Sequence, residues 1–222
     1  MFKNYFKIAI RHLTRHKLFS LINIFCLAIG ITFSMLIGIY ILNEESVNHN
    51  LKNADRQYIV KSKWKVKDMG LDITTLGPLA KTLKTEYPNL VADYYRYNPV
   101  TNVVSAGDKH FKEDISIGDT TFVSMYGLPV LYGDPNQAFK NNNSAVITES
   151  LAQKLYNKKD AVGARISVTT TVNNEKQDYI VSAVLKEIPF NSVFNLAADK
   201  GDNFGIFVPS DGNRYYQNGD GA

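Results

Sequence analysis

The stretch LFSLINIFCLAIGITFSMLIGIYILN, Leu18 to Asn43, contains no charged residue and lies between Lys17 and Glu44. A helix of these 26 residues reaches about 39 Å, against a bilayer hydrocarbon core of about 30 Å, so it can cross a membrane with some tilt. A buried core helix is the bland alternative, but such helices are amphipathic and seldom this long. A cleaved signal peptide is the other; its apolar region is about 7–15 residues and ends at small side chains. This one closes with Ile39, Tyr40, Ile41 and Leu42, and the run reads as a membrane anchor.

Working outward, the flanks carry opposite charge. Lys3, Lys7, Arg11, Arg15 and Lys17 precede the run with no acid among them, while Glu44 and Glu45 follow it. The positive-inside rule therefore predicts residues 1–17 in the cytoplasm and residues 44–222 in the periplasm or cell exterior. Inside the run, Gly30, Ser34 and Gly38 recur every fourth residue, the spacing of a small-residue stripe through which membrane helices pack. Glycine is also tolerated in membrane helices for no packing reason. Residues 1–17 read as a helix of their own: Phe2, Phe6, Ala9, Ile10 and Leu13 share one face, and Lys3, Lys7, Arg11 and Arg15 form a stripe on the other. Such a segment can lie among the lipid headgroups with its cations toward anionic lipid. His12 and His16 have metal-ligand spacing, but no third ligand is near in sequence.

These five cations account for the basic pI: of 25 Lys and Arg and 21 Asp and Glu, only 20 of the basic residues lie beyond Lys17. A nucleic-acid binder needs positive charge spread over a folded face, so this distribution rules out most such readings, and no nucleic-acid partner is expected. Cys26 is the single cysteine, which rules out an internal disulfide, and no Cys/His cluster has zinc-site spacing.

After Glu45 the composition becomes that of a folded polar domain of α+β class, with mixed strands, short helices and room for two lobes. Alternating apolar residues and lysines from Gln57 to Val66 predict a half-solvated strand. Gly77-Pro78 opens a short helix, Leu79 to Glu86, that Pro88 stops. Strands are expected over 91–105 and 109–117, turning at Gly107-Asp108. Asp119 or Thr120 is the expected cap of a helix through Val123 and Met125 that Gly127 ends. Turns follow at Gly133-Asp134-Pro135 and Asn141 to Asn143. Ala145 to Ile147 should be a strand leading into a helix with Thr148 as cap, Glu149 in its first turn, and Leu151 and Leu155 on its buried face. Arg165 to Thr171 and Gln177 to Leu185 should be strands about an Asn173-Asn174 turn. The expected organisation is an interfacial helix at 1–17, a membrane helix at 18–43, a domain at 44–200 and a Gly- and Asn-rich end at 201–222. With no cysteine or clustered ligands, residues 46–200 are expected to fold without metal or disulfide.

Six ordered segments resemble one family. They are FKNYFKIAIRHLTRHKLFSLINIFCLAIGI, KNADRQYIV, GPLAKTLKTEYPNLV, DTTFVSMYGLPVLYGDP, SAVITESLAQKLY with AVGARISV, and DYIVSAVLKEIPFNSVF. Together, over about residues 2–197, they are similar to ABC transporter permeases of the MacB/FtsX-like class in the version common in Bacteroidota. The part after the membrane helix resembles the MacB-like periplasmic core domain. The resemblance implies a permease subunit of four membrane helices in the inner membrane, with an extracytoplasmic domain between the first and second. Its implied partners are an ABC-type ATPase, a second permease copy, the lipid bilayer, and a periplasmic or outer-membrane protein; efflux is among the activities of the class. No second hydrophobic run occurs before Ala222, so the expectation is the N-terminal part of such a subunit.

Enzyme chemistry is not legible, and no cofactor, catalytic or metal residue is expected. None of the 14 glycines is followed by lysine, so the backbone and lysine cradle of a P-loop is absent. No G-x-S-x-G elbow occurs. Glu44/Glu45 and Glu113/Asp114 are adjacent carboxylates, which diverge on a helix or strand and read as solvated charge. His49 and His110 are isolated in sequence. The alternative to a permease subunit is a single-span anchored sensor or binding module.

Overall fold

The apolar run forms one uninterrupted helix in the computed structural model, which describes residues 2–49, 51–63, 65, 74–170, 174–188, 192, 194 and 205–212. Helix α1 is Phe2–Arg15 and helix α2 is Lys17–Glu45, 29 residues long. They are separated at His16, whose φ of −115° and ψ of 57° leave the helical region. Among the described residues α2 is the one helix long and apolar enough to cross a membrane, and none of its residues is buried. That exposure removes the core-helix reading, because a soluble core helix hides its apolar face. The chain divides into two compact units, Met1–Val47 and Asn48–Ala222.

The second unit is a mixed sheet with short helices. Its strands are β1 (Tyr97–Ala106), β2 (Lys109–Gly118), β3 (Val130–Gly133), β4 (Ser144–Thr148), β5 (Arg165–Thr169), β6 (Lys176–Leu185) and β7 (Ile206–Pro209). They are ordered β3-β6-β4-β7-β2-β1-β5, and β5 also pairs with β6, so six strands close a ring with β3 outside it. The hairpin β1–β2 forms where its turn chemistry requires: Gly107, the first turn residue, takes φ +59°. Helix α3 is Leu79–Glu86, α4 is Phe122–Tyr126 and α5 is Glu149–Tyr156. Thr148 caps α5, its Oγ1 accepting from the Leu151 amide at 3.4 Å, and Leu151, Ala152 and Leu155 are buried.

Side-chain alternation along the strands builds two cores that share a wall. Ala145 and Ile147 of β4 and Ile206 and Val208 of β7 enter the first core, with Val104, Ile115, Ile166, Tyr179 and the buried face of α5. Val146 and Phe207, the residues between them, enter the second core with Phe122, Val123, Leu128, Ala183, Leu185 and Phe194. Strand β6 serves both only because its register slips. Tyr179 and Val181 face the first core, and the pairing with β4 then skips Ser182, so that Val184 regains the first core while Ala183 and Leu185 take the second. Such a bulge reverses the parity of every residue beyond it. The Ser182 hydroxyl is satisfied by the carbonyls of Ala138 and Ala145.

Four expectations need correction. Residues 57–63 take no part in the sheet; Tyr58, Ile59 and Val60 are 85%, 53% and 50% exposed. Alternation favours extended backbone, but a strand exists only where an edge accepts it; Trp64 and Val66 lie outside the described residues. Strand β1 begins at Tyr97, not residue 91. The cap of α4 is Thr121, whose side chain makes no capping bond, and Asp119 is held by Arg96 instead. The domain boundary at 200 cuts off β7, whose four residues are all buried between β4 and β2. Within the expected end at 201–222 only residues 205–212 are described.

Strand β7 tests this architecture. Truncation after Lys200 should abolish cooperative urea unfolding, whereas Phe207→Ala in the full chain should cost about 3–5 kcal/mol, as large aromatic deletions in packed cores do. A truncated chain that unfolds as sharply as the parent would show that β7 is dispensable.

Candidate functional site

Two regions can carry function, one in each unit. On α2 the residues Gly30, Ser34 and Gly38 have the expected helical spacing. A Cβ placed at Gly30 or Gly38 meets nothing within 4 Å. The Ser34 hydroxyl donates to the Gly30 carbonyl at 2.9 Å, and Thr32 donates to Ala28 at 2.8 Å. Both polar side chains are thus satisfied by their own helix, as an apolar surrounding demands, and the stripe offers small, nearly apolar surface. Cys26, Leu27, Ile31 and Met35 line a shallow groove with Gly30 and Ser34.

On α1, Lys3, Lys7, Arg11 and Arg15 are exposed, and Lys17 opens α2. Phe6, Ile10 and Leu13 of the apolar face are exposed as well; the side chains of Phe2 and Ala9 lie outside the description. His12 and His16 come together with ring centroids 5.4 Å apart. Among the described residues no three His, Cys, Asp or Glu side chains are grouped as a metal site would need.

In the second unit an aromatic cluster gathers around α4. Phe122 stacks on Phe207 at 4.1 Å between centroids and meets Phe194 edge-on at 5.2 Å; Tyr95 lies 5.1 Å from Phe122, and Tyr126 lies 4.6 Å from Phe194. These spacings suit the quadrupoles of aromatic rings. The segment before β1 is stitched to the residues that follow β2. The Arg96 guanidinium donates to both carboxylate oxygens of Asp119, at 2.7 Å through Nη2 and 3.1 Å through Nε, and its backbone amide donates at 2.7 Å. The Thr121 hydroxyl donates to the Tyr94 carbonyl at 2.6 Å, and the Tyr95 and Ser116 hydroxyls share a bond of 2.9 Å. Sequence reasoning read Asp119 as a cap and passed over the YYRY run at 94–97; the aromatic repeat was the available signal.

Burial sets the titration of this cluster. Desolvation raises the phenol pKa values of Tyr95 and Tyr97 and pushes that of Tyr126 up to about 12. On the outer face, pairing places His110, Ser105, Ser167 and Asp178 in one row across β2, β1, β5 and β6. His110 Nδ1 and Ser105 Oγ are 2.7 Å apart. The Arg165 and Ser167 hydrogen bonds hold Asp178 below the usual carboxylate range. Histidine and carboxylate stand at opposite ends of this row, so it assembles no relay of nucleophile, base and orienting acid. His49 is exposed. Glu113 and Asp114 diverge as expected, Asp114 accepting from Thr101 at 2.5 Å; Glu113, however, is paired with Lys154 rather than free in solvent.

Two measurements follow. A fold that keeps tyrosines protonated binds more protons than its unfolded chain above pH ~10. Stability should therefore be full below that pH and fall as pH rises through about 12, and Tyr126→Phe should shallow the decline in urea midpoint between pH 9 and 11. Asp119→Ala should cost about 2–3 kcal/mol, since it orphans a partly buried guanidinium. Lys159→Ala, which removes a solvent-exposed ion pair with Glu149, should leave the midpoint unchanged.

The model of the MacB-like periplasmic core domain family matches residues 20–221. Among solved structures, a domain assigned to a permease protein from Porphyromonas gingivalis is 20% identical, with a TM-score of 0.46 over 59% of this chain and 55% of that one. The periplasmic region of MacB from Actinobacillus actinomycetemcomitans is 16% identical, with a TM-score of 0.39 over 64% of this chain and 68% of that one. The extracellular domain of the noncanonic ABC-type transporter YknZ from Gram-positive bacteria is 15% identical, with a TM-score of 0.38 and 52% coverage of each. The chain spans about half the length of the first and third of these. No curated protein matches it.

Proposed function

The chain belongs to the MacB-like periplasmic core domain family, and from that membership we propose that it is a membrane-anchored permease subunit of an ABC transporter. The observation that carries this reading is the continuity of the family match, which runs from residue 20, inside α2, through the whole mixed sheet to residue 221. An anchored sensor of another kind would not need the helix and the domain to share one family pattern.

In this reading α2 crosses the inner membrane with residues 1–17 in the cytoplasm, and the unit from Asn48 onward is periplasmic. The cations Lys3, Lys7, Arg11, Arg15 and Lys17 favour that orientation and meet anionic headgroups. The periplasmic unit handles substrate or a periplasmic or outer-membrane partner, and efflux is one such use. Energy comes from an ABC-type ATPase, separate or fused. A second permease copy, or another helix of the same subunit, packs on Gly30, Ser34 and Gly38.

Orientation is checked by impermeant thiol labelling of intact cells with a permeabilised outer membrane, in a Cys26→Ser background. Asp108→Cys should label and Thr14→Cys should not; the reverse pattern would overturn the topology. Assembly is checked by co-purification of ATPase and permease copies. Gly30→Leu or Gly38→Leu should reduce recovery several-fold without impairing insertion, because leucine is favourable in lipid but blocks close approach. Unchanged recovery in both variants would remove the stripe from the account, and robust nucleotide hydrolysis by the purified chain would remove the division of labour.

A further inference from the structure

Three consecutive apolar side chains of the second unit stand in solvent. Tyr58, Ile59 and Val60 are 85%, 53% and 50% exposed, and the other exposed large apolar side chains described in that unit stand singly along the chain. Scattered apolar side chains are ordinary on a protein surface, whereas a contiguous group marks a surface that something else covers. The main chain there is equally free. Among the described residues, no hydrogen bond engages residues 58–63.

The same short stretch is basic. Lys61, Lys63 and Lys65 are exposed, none of them is held in an ion pair among the described residues, and no acidic residue occurs between Gln57 and Lys65. A tyrosine and aliphatic side chains beside unpaired lysines suit the surface of an anionic bilayer: the phenol sits at headgroup level, the lysine stems lie along apolar surface, and the ammonium groups meet lipid phosphates. Covalent length keeps the stretch within reach of such a surface. Tyr58 lies 13 residues beyond Glu45, the end of α2, which is at most about 44 Å of extended chain. Asn48 and Asn53, with φ of +64° and +54°, and the 3₁₀ turn at Ala54–Arg56 shorten that reach.

Other covers fit these residues less well. In-register pairing with the same stretch of a second copy would set lysine against lysine along the ladder, and like charges directly opposite are destabilising. Entry into the hydrocarbon would strand main-chain groups that only headgroups and water can satisfy. We propose that Tyr58, Ile59 and Val60, with Lys61, Lys63 and Lys65, form a second lipid contact of this chain, at headgroup level in the leaflet on the far side of the span from α1, and that its ligand is anionic phospholipid. The proposal rests on the reading of α2 as a membrane span.

The full chain reconstituted in vesicles of phosphatidylcholine and phosphatidylglycerol, with acyl chains brominated near the headgroup, tests this. Trp64 is the single tryptophan, and bromine quenches its emission only at close range. Emission should fall about two-fold against unbrominated vesicles, as for a ring at headgroup level. The quenching should weaken in brominated phosphatidylcholine alone and be lost in two combined variants, Tyr58→Ser with Ile59→Ser and Val60→Ser, and Lys61→Glu with Lys63→Glu and Lys65→Glu. All six side chains are outside the cores, so urea midpoints should match the parent, and every variant should still float with the vesicles through α2. Unquenched emission in a parent chain that floats would overturn the lipid contact and leave protein as the cover. Quenching that is equal with and without phosphatidylglycerol, or that the serine variant leaves untouched, would overturn it as well. A parent chain that does not float would refute the span itself, and failure of the transporter reading would appear only in co-purification, so the three failures are distinct.

Discussion

The second unit depends on two strands, β4 and β7, that are buried on both faces. A strand with one wet face needs only one partner layer, whereas a strand with two apolar faces must be covered twice. Ile206 and Val208 answer to the core that α5 completes, and Phe207 answers to the core that α4 completes. Both helices are short, α5 with eight residues and α4 with five. Neither would persist alone in water; packing on the shared wall stabilises them. The bulge at Ser182 serves the same demand by letting β6 contribute residues to both sides.

Charge is used sparingly in this arrangement. The Arg96 and Asp119 side chains are 30% and 12% exposed, and a bidentate pair at that depth, reinforced by a backbone amide, fixes geometry as well as adding energy. It closes the entry to β1 against the exit from β2 and so sets where α4 begins. The pairs Lys159–Glu149 and Arg165–Asp178 lie far more in solvent and contribute little to stability. Half-buried phenols of Tyr95 and Tyr97 complete the second core, with their hydroxyls turned to Ser116 and to the Phe194 carbonyl. These polar contacts hold the shape of the described part of the unit.

The turn at Leu51 rests on the same second core. Leu51 and Tyr126 belong to it, and so does Phe207 of the central strand.

Much of this was readable from the residues themselves, and the division has a physical basis. The span was legible because 26 uncharged residues leave lipid as the fitting solvent. Helices α3 and α5 and the β1–β2 hairpin were legible because proline, Thr148 and Gly107 act on neighbours a few positions away. The family resemblance likewise rested on ordered local segments. The strand expected from Gln57 had the right alternation but no edge to join, and β7 had the edges but only four residues between glycine- and asparagine-rich flanks. Asp119 looked like a cap until Arg96, 23 residues earlier, claimed it. Local conformation follows from chemistry within a few residues and was determined by the sequence alone. Which strand lies in the centre and which carboxylate is buried depend on contacts between distant segments, and only the tertiary structure decided them.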